Sequence, residues 1–298
     1  MTQIIALPDG RQASYQVSGD GVPALMLPGG PGFEAGYLAG DAGLFAGVMS
    51  SYLIDPPGAG ASTPPRDPSG FSAEAQASFY EEVRKALGLR KVVVFGHSFG
   101  ASVALAYAAA YPESTVACVA VAPFTVGAAA DAAEGGTAAT EAEAAVKRHA
   151  GSPWYPRARQ ALDSFGERVA AARDSAEMDQ ILYSILPFYL ARPDKPGMQE
   201  RLAAVSGALK TNLAAVREWV SGIFLTFDLR PLLGRVSSPT LIIAGEYDLI
   251  CGPAQAGPAA DGTARSHLVI LEDCGHLPAL ESPGEYRQAV LEFLRGLR

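Results

Sequence analysis

Short apolar runs divided by helix-like stretches are the feature that most narrows what this chain can become. Such runs occur at residues 24–27, 52–54, 92–95, 116–121 and 241–244, with a further strand at 267–271. This is the pattern of a parallel sheet with crossover helices on its faces. Two earlier runs, 4–7 and 13–17, flank the Pro8-Asp9-Gly10 turn and read as a hairpin. The sequence therefore predicts an α/β fold with a mostly parallel, eight-stranded sheet flanked by helices. The segment 72–87 has a capping-type start, with Glu74 in its first turn and Gly88 just past its end, and 283–297 supplies the last helix.

After residue 121 the alternation lapses. Ala-rich and amphipathic segments such as 140–150 and 199–220 take its place, and both tryptophans, Trp154 and Trp219, fall in this interval. We read it as a helical cap inserted between strands 6 and 7. It divides the chain into a first core part, 1–125, a cap, 126–225, and a second core part, 226–298. The low-complexity tract 128–139, with Gly135 and Gly136, is expected to be a mobile hinge or loop.

Composition removes several classes of function. With 49% hydrophobic and 18% charged residues the chain is not disordered, and a net charge of -8 argues against nucleic acid or an anionic membrane as partner. A membrane span needs about 18 consecutive apolar residues. The nearest stretch, 116–130, is broken by Pro123 and Gly127. Residues 1–10 lack a basic stretch, so no secretory leader is expected. Cys118, Cys251 and Cys274 are odd in number and show no CxxC spacing. Reduced thiols in a cytoplasmic protein follow as the expectation.

The chemistry centres on Gly96-His97-Ser98-Phe99-Gly100, which directly follows the run 91–95 and precedes the helical stretch 101–110. A serine placed on so sharp a strand-to-helix turn needs small residues two before and two after it. The turn exposes the Ser98 hydroxyl and aims the Phe99 N–H and the helix N-terminus at a developing oxyanion. A serine needs a base, and four histidines are available. His97 is in the elbow and is expected to pack beneath the sheet. His149 lies in a charged cap helix, and His267 opens a strand. His276 lies in a loop beyond the last strand, from which a side chain can reach the C-terminal edge of the sheet, and is the predicted base. Asp248 follows the strand 241–244 and is the predicted acid, with Glu246 and Asp273 as competitors.

The order Ser98, Asp248, His276, together with the stretch 55–62 after the fourth strand, resembles the α/β-hydrolase family over nearly the whole chain. Within it, Gly29-Gly30-Pro31-Gly32 is similar to the HGGPG loop of the proline iminopeptidase group, and residues 228–251 resemble that group's entry into the acid loop. The resemblance places the Gly30 N–H beside that of Phe99 in the oxyanion hole, Pro31 having no N–H to give. The group's histidine before the glycines is Pro28 here, so that side-chain brace is missing. Iminopeptidases hold the substrate's α-amino group with carboxylates. Leu249 stands where some members have a glutamate after the catalytic aspartate, which leaves Glu218, and then Glu34, as candidates.

Cap aromatics Trp154, Tyr155, Phe188, Tyr189, Trp219, Phe224 and Phe227 could line an apolar acyl pocket, the run 185–189 foremost. The expected reaction is two-step acyl transfer to water, with no metal or organic cofactor. The substrate would be a small peptide, amide or aminoacyl compound. An esterase or lactonase for a small secondary metabolite is the alternative, and a non-catalytic receptor or carrier is the alternative of another class. Cys251 and Cys274 sit on the acid and base loops and are expected near the site, where an accessible thiol would make the protein sensitive to thiol reagents.

Overall fold

The computed structural model describes residues 1–30 and 32–297, so Pro31 lies outside the described residues. Its strands are β1 (Gln3–Ala6), β2 (Gln12–Ser18), β3 (Val22–Leu27), β4 (Met49–Ile54), β5 (Val92–His97), β6 (Thr115–Val121), β7 (Thr240–Gly245) and β8 (Ser266–Leu271). They form a single sheet in the order β1-β2-β4-β3-β5-β6-β7-β8. The β1–β2 and β2–β4 pairs are antiparallel and the others parallel, as the alternating pattern predicts.

The central strands β5 and β7 are buried at every residue because helices cover both faces. On one side Ala73–Ala86, Phe99–Ala110 and Pro253–Gly262 pack on the sheet; on the other, Ala39–Leu44 and Pro283–Arg295 do. Each fully buried Leu or Phe in these layers contributes about 1.5–3 kcal/mol relative to exposure. The helix Ala73–Ala86 starts where expected: the Ser72 hydroxyl accepts the Ala75 N–H at 3.2 Å, and Gly88, at φ +69°, lets the chain leave. Among the described residues no helix is long and apolar enough to cross a membrane.

The helical cap lies between β6 and β7. Its first part corrects the sequence reading. Residues 128–139 are not a loop but parts of two helices, Ala128–Ala133 and Thr137–Lys147, with Gly136 left-handed between them. Alanine's helix propensity prevails, and the Asp131 carboxylate caps the second helix by accepting the Ala138 and Ala139 N–H groups at 2.9 and 3.1 Å. The expected helix 199–220 is split into Met198–Ala208 and Leu213–Glu218. Between them Thr211 bridges to Phe33, and the Asn212 side chain both caps the second helix and donates to the Gly58 carbonyl at 2.6 Å.

Candidate active site

Ser98 sits between β5 and the helix Phe99–Ala110 at φ +57°, ψ -128°, a backbone conformation that L-residues rarely adopt. The turn is held by the Ser98 N–H on the Val121 carbonyl and by the Ala101 N–H on the Ser98 carbonyl, both at 2.8 Å. The two flanking glycines are steric necessities. A Cβ on Gly96 would collide with the Gly100 carbonyl, and one on Gly100 with the carbonyls of Leu27 and Pro28. The loop after β3 comes equally close, since a Cβ on Gly29 would lie 2.8 Å from the Ser98 Cβ. Among the described residues neither the Gly30 nor the Phe99 N–H has a hydrogen-bond partner. Both amides are therefore free to hold a developing oxyanion.

The loops after β7 and β8 bring Asp248 and His276 together. His276 Nδ1 is 2.6 Å from Asp248 Oδ2, and both residues are only 2% exposed. Asp248 Oδ1 accepts the Ile250 and Cys251 N–H groups at 2.8 and 2.9 Å. Burial pushes the Asp248 carboxyl up, but the charge and hydrogen bond of His276 with these two amides outweigh it and hold it below the ordinary carboxylate value. The competitors are occupied elsewhere. Glu246 accepts the Asp273 N–H at 3.1 Å, and Asp273 pairs with Arg192. Ser98 and His276 line one cavity without a direct hydrogen bond, and such bonds tighten in the complex with substrate.

That cavity, of about 610 Å³, lies between the sheet edge and the cap. Its wall is mostly apolar, with Phe33, Phe124, Val126, Leu162, Phe165, Met178, Leu182, Val216, Phe224 and Leu249 among the lining side chains. Two carboxylates reach it from the cap, and both are engaged: Asp131 caps a helix, and Glu143 binds Arg159 at 2.8 Å and Lys147 at 3.4 Å.

Four substrate-contact residues expected from sequence divide evenly. Tyr189 and Trp219 line the cavity, Tyr189 meeting the His276 ring edge-on at 5.2 Å and Trp219 packing against Phe99 and Phe124. Phe188 does not line it; it is buried behind the wall among Trp154, Tyr155 and His149. Glu218 is half-buried outside the lining, and Glu34 faces a separate surface groove. His267 lies on β8, away from the site. His97 is a correction: it is not beneath the sheet but beside the base, its ring 4.7 Å from that of His276. Tyr37, which no motif marks, lies on its other side and accepts the Gly29 N–H at 2.5 Å. It supplies a brace to the glycine loop that Pro28 cannot.

The family described as alpha/beta hydrolase fold matches residues 25–283. A proline iminopeptidase of Saccharolobus solfataricus is 25% identical over 94% of this chain and 87% of its own length. Among solved structures, an α/β-fold hydrolase of Bacillus anthracis superposes with a TM-score of 0.74 at 20% identity, covering 98% of this chain and 99% of that one. The proline iminopeptidase of Mycobacterium smegmatis gives 0.70 at 22% identity, covering 100% and 98%. A thermophilic esterase of Thermogutta terrifontis gives 0.72 at 20%, covering 100% and 99%. With its sheet order, its serine elbow and a family match over most of its length, the chain belongs to the α/β-hydrolase fold family and is an α/β-hydrolase enzyme that resembles the proline iminopeptidases.

Proposed function

We propose that the protein is a serine hydrolase that cleaves small carboxylic esters with an uncharged, apolar acyl group. Ser98 attacks the carbonyl carbon while His276 takes its proton. Asp248 keeps the imidazole oriented and stabilises its charged form. The Gly30 and Phe99 amides hold the oxyanion, the alcohol leaves with the proton from His276, and water repeats the sequence to free the acid. The observation that carries the substrate class is the cavity wall, which is mostly apolar, and the two cap carboxylates that reach it already accept hydrogen bonds, Asp131 from the Ala138 and Ala139 N–H groups and Glu143 from Arg159.

A second reading, a proline iminopeptidase-like aminopeptidase acting on small peptides or aminoacyl amides, draws on the names of the relatives. One comparison separates the two. Acyl p-nitrophenyl esters are expected to be turned over with a higher kcat/KM than free-amine aminoacyl naphthylamides. The reverse order favours the aminopeptidase.

A further inference from the structure

Ser98, His276, Asp248 and two amides account for the acyl transfer and leave without a task two linked, buried polar side chains on the cavity floor beside the base. These are Tyr37 and His97, 8% and 6% exposed. Their hydrogen bonds admit one arrangement of protons. His97 Nε2 lies 2.8 Å from the backbone carbonyl of His276, which can only accept, so Nε2 carries the proton. His97 Nδ1, 2.8 Å from the Tyr37 hydroxyl, is then the acceptor, and Tyr37 donates to it. The Tyr37 oxygen in turn accepts the Gly29 N–H. Burial first, and the neighbouring His276 second, push the His97 imidazole down to about 3, which keeps it in this neutral form.

We propose that Tyr37 and His97 form a positioning relay that ties the oxyanion loop to the loop of the base. The run is Gly29 N–H to Tyr37 oxygen, Tyr37 O–H to His97 Nδ1, and His97 Nε2–H to the His276 carbonyl. Each end is one step from the chemistry, since Gly29 precedes the oxyanion amide of Gly30 and the His276 carbonyl belongs to the base itself. His97 is also the residue before Ser98. Three loops, after β3, β5 and β8, are thereby held in one register. The register matters because a misplacement of about 1 Å between oxyanion donors and base can cost about a hundredfold in rate. The relay touches no proton that the reaction moves, so its members are positioning residues. The inference rests on the roles given above to Ser98 and His276.

The test combines kinetics with the tautomer of His97. Tyr37→Phe keeps the ring and removes the hydroxyl; it is expected to lower kcat about a hundredfold while KM stays within about twofold. His97→Leu is expected to do the same, the double variant to be no worse than the poorer single, and His97→Gln, which can still donate to the His276 carbonyl, to recover part of the loss. Nitrogen-15 spectra of the wild type should show His97 neutral with Nε2 protonated. Losses that add in the double variant, a protonated Nδ1, or wild-type kcat in Tyr37→Phe would each overturn the relay. If melting shows that His97→Leu does not fold, Tyr37→Phe and the tautomer decide. Labelling with a fluorophosphonate separates the failures. Wild type unlabelled at Ser98 removes the active site and the relay with it, whereas labelled wild type with a fully active Tyr37→Phe removes the relay alone.

Discussion

The two edges of the cap are attached to the core in different ways. Its inner edge is joined mainly by backbone, the His276 N–H donating to the Tyr189 carbonyl at 2.6 Å and the Asn212 N–H to the Gly32 carbonyl at 3.0 Å, while the Ala191 N–H adds a bond to the Glu281 carboxylate at 2.7 Å. Arg192 adds an ion pair to Asp273, three residues before the base. The outer edge, helices Ala128–Ala133 and Thr137–Lys147, is held by backbone only at its root, where the Gly127 N–H donates to the Phe227 carbonyl at 2.7 Å, and beyond that rests on side chains. Glu134 pairs with Arg230 on the surface, Glu141 accepts the Ala254 N–H at 2.8 Å, and small residues such as Ala138, Ala139 and Ala142 face the cavity. Backbone bonds fix position to a fraction of an ångström, while alanines leave volume. The inner edge therefore belongs to the chemistry, and the outer edge sets what fits.

The largest effects should come from the side that carries the chemistry. Ser98→Ala is expected to lower kcat by at least about a thousandfold with an unchanged melting temperature, because the hydroxyl reacts but packs little. Asp248→Asn should come close to it, since an amide at that place favours the wrong tautomer of His276. More than a tenth of wild-type kcat in Ser98→Ala would break the assignment.

Outer-edge changes should read in KM. Ala142→Trp puts an indole into the cavity from the cap helix and is expected to raise KM for long-chain acyl esters about tenfold or more, leaving kcat for acetyl esters nearly unchanged. A fall in kcat for every chain length would mean that the outer edge also positions the reacting groups.

The contrast also explains what the sequence could and could not tell. The elbow was legible because its sterics are local: Gly96 and Gly100 are needed by atoms within a few residues or on the next strand. The central strands were legible because burial on both faces leaves apolar runs, and the exposed β1–β2 hairpin because the Pro8-Asp9-Gly10 turn marks it. Phe188 and Glu218 were misleading for a reason of phase. Each is adjacent in sequence to a lining residue, Tyr189 or Trp219, but one step along a helical turn rotates a side chain by about 100°. The π-helical turn Trp219–Ile223 shifts that phase further. Tyr37 and His97 could not be paired from sequence at all, since their contact spans 60 residues and follows no spacing rule.

A smaller effect is expected from Glu281 at the inner edge. Burial raises its carboxyl from the ordinary 4.5 to about 7, although the Ala191 and Gly275 N–H groups pull the other way. The folded protein therefore holds this proton up to about pH 7, while the unfolded chain releases it near 4.5. The stability linked to it is complete below the lower value and is lost as pH rises through the upper one. Buried Asp41, raised to about 6, acts in the same sense, and His97 in the opposite one. Melting temperature measured from pH 5 to pH 8 should fall less steeply in Glu281→Gln than in the wild type. Identical slopes would show that Glu281 is ionised throughout and only ties Ala191 to the base loop.

The smallest expected effect is none, and it bears on the rigidity of the inner edge. Cys251 and Cys274 do lie beside the site: the Cys251 N–H binds Asp248, its thiol neighbours the Ser98 side chain, and Cys274 is two residues before His276. Their position suggested sensitivity to thiol reagents, but both are fully buried, and burial pushes both thiols well above the usual range, so the reactive thiolate is scarce as well as covered. A reagent can reach either only if the loops that carry the acid and the base open, which means breaking the seam at Tyr189, Ala191 and Arg192. Iodoacetamide under native conditions is therefore expected to leave activity intact, with alkylation found by mass only after denaturant is added. Activity lost in step with native alkylation, and spared in a Cys251→Ser, Cys274→Ser double variant, would show that the inner edge opens on that timescale.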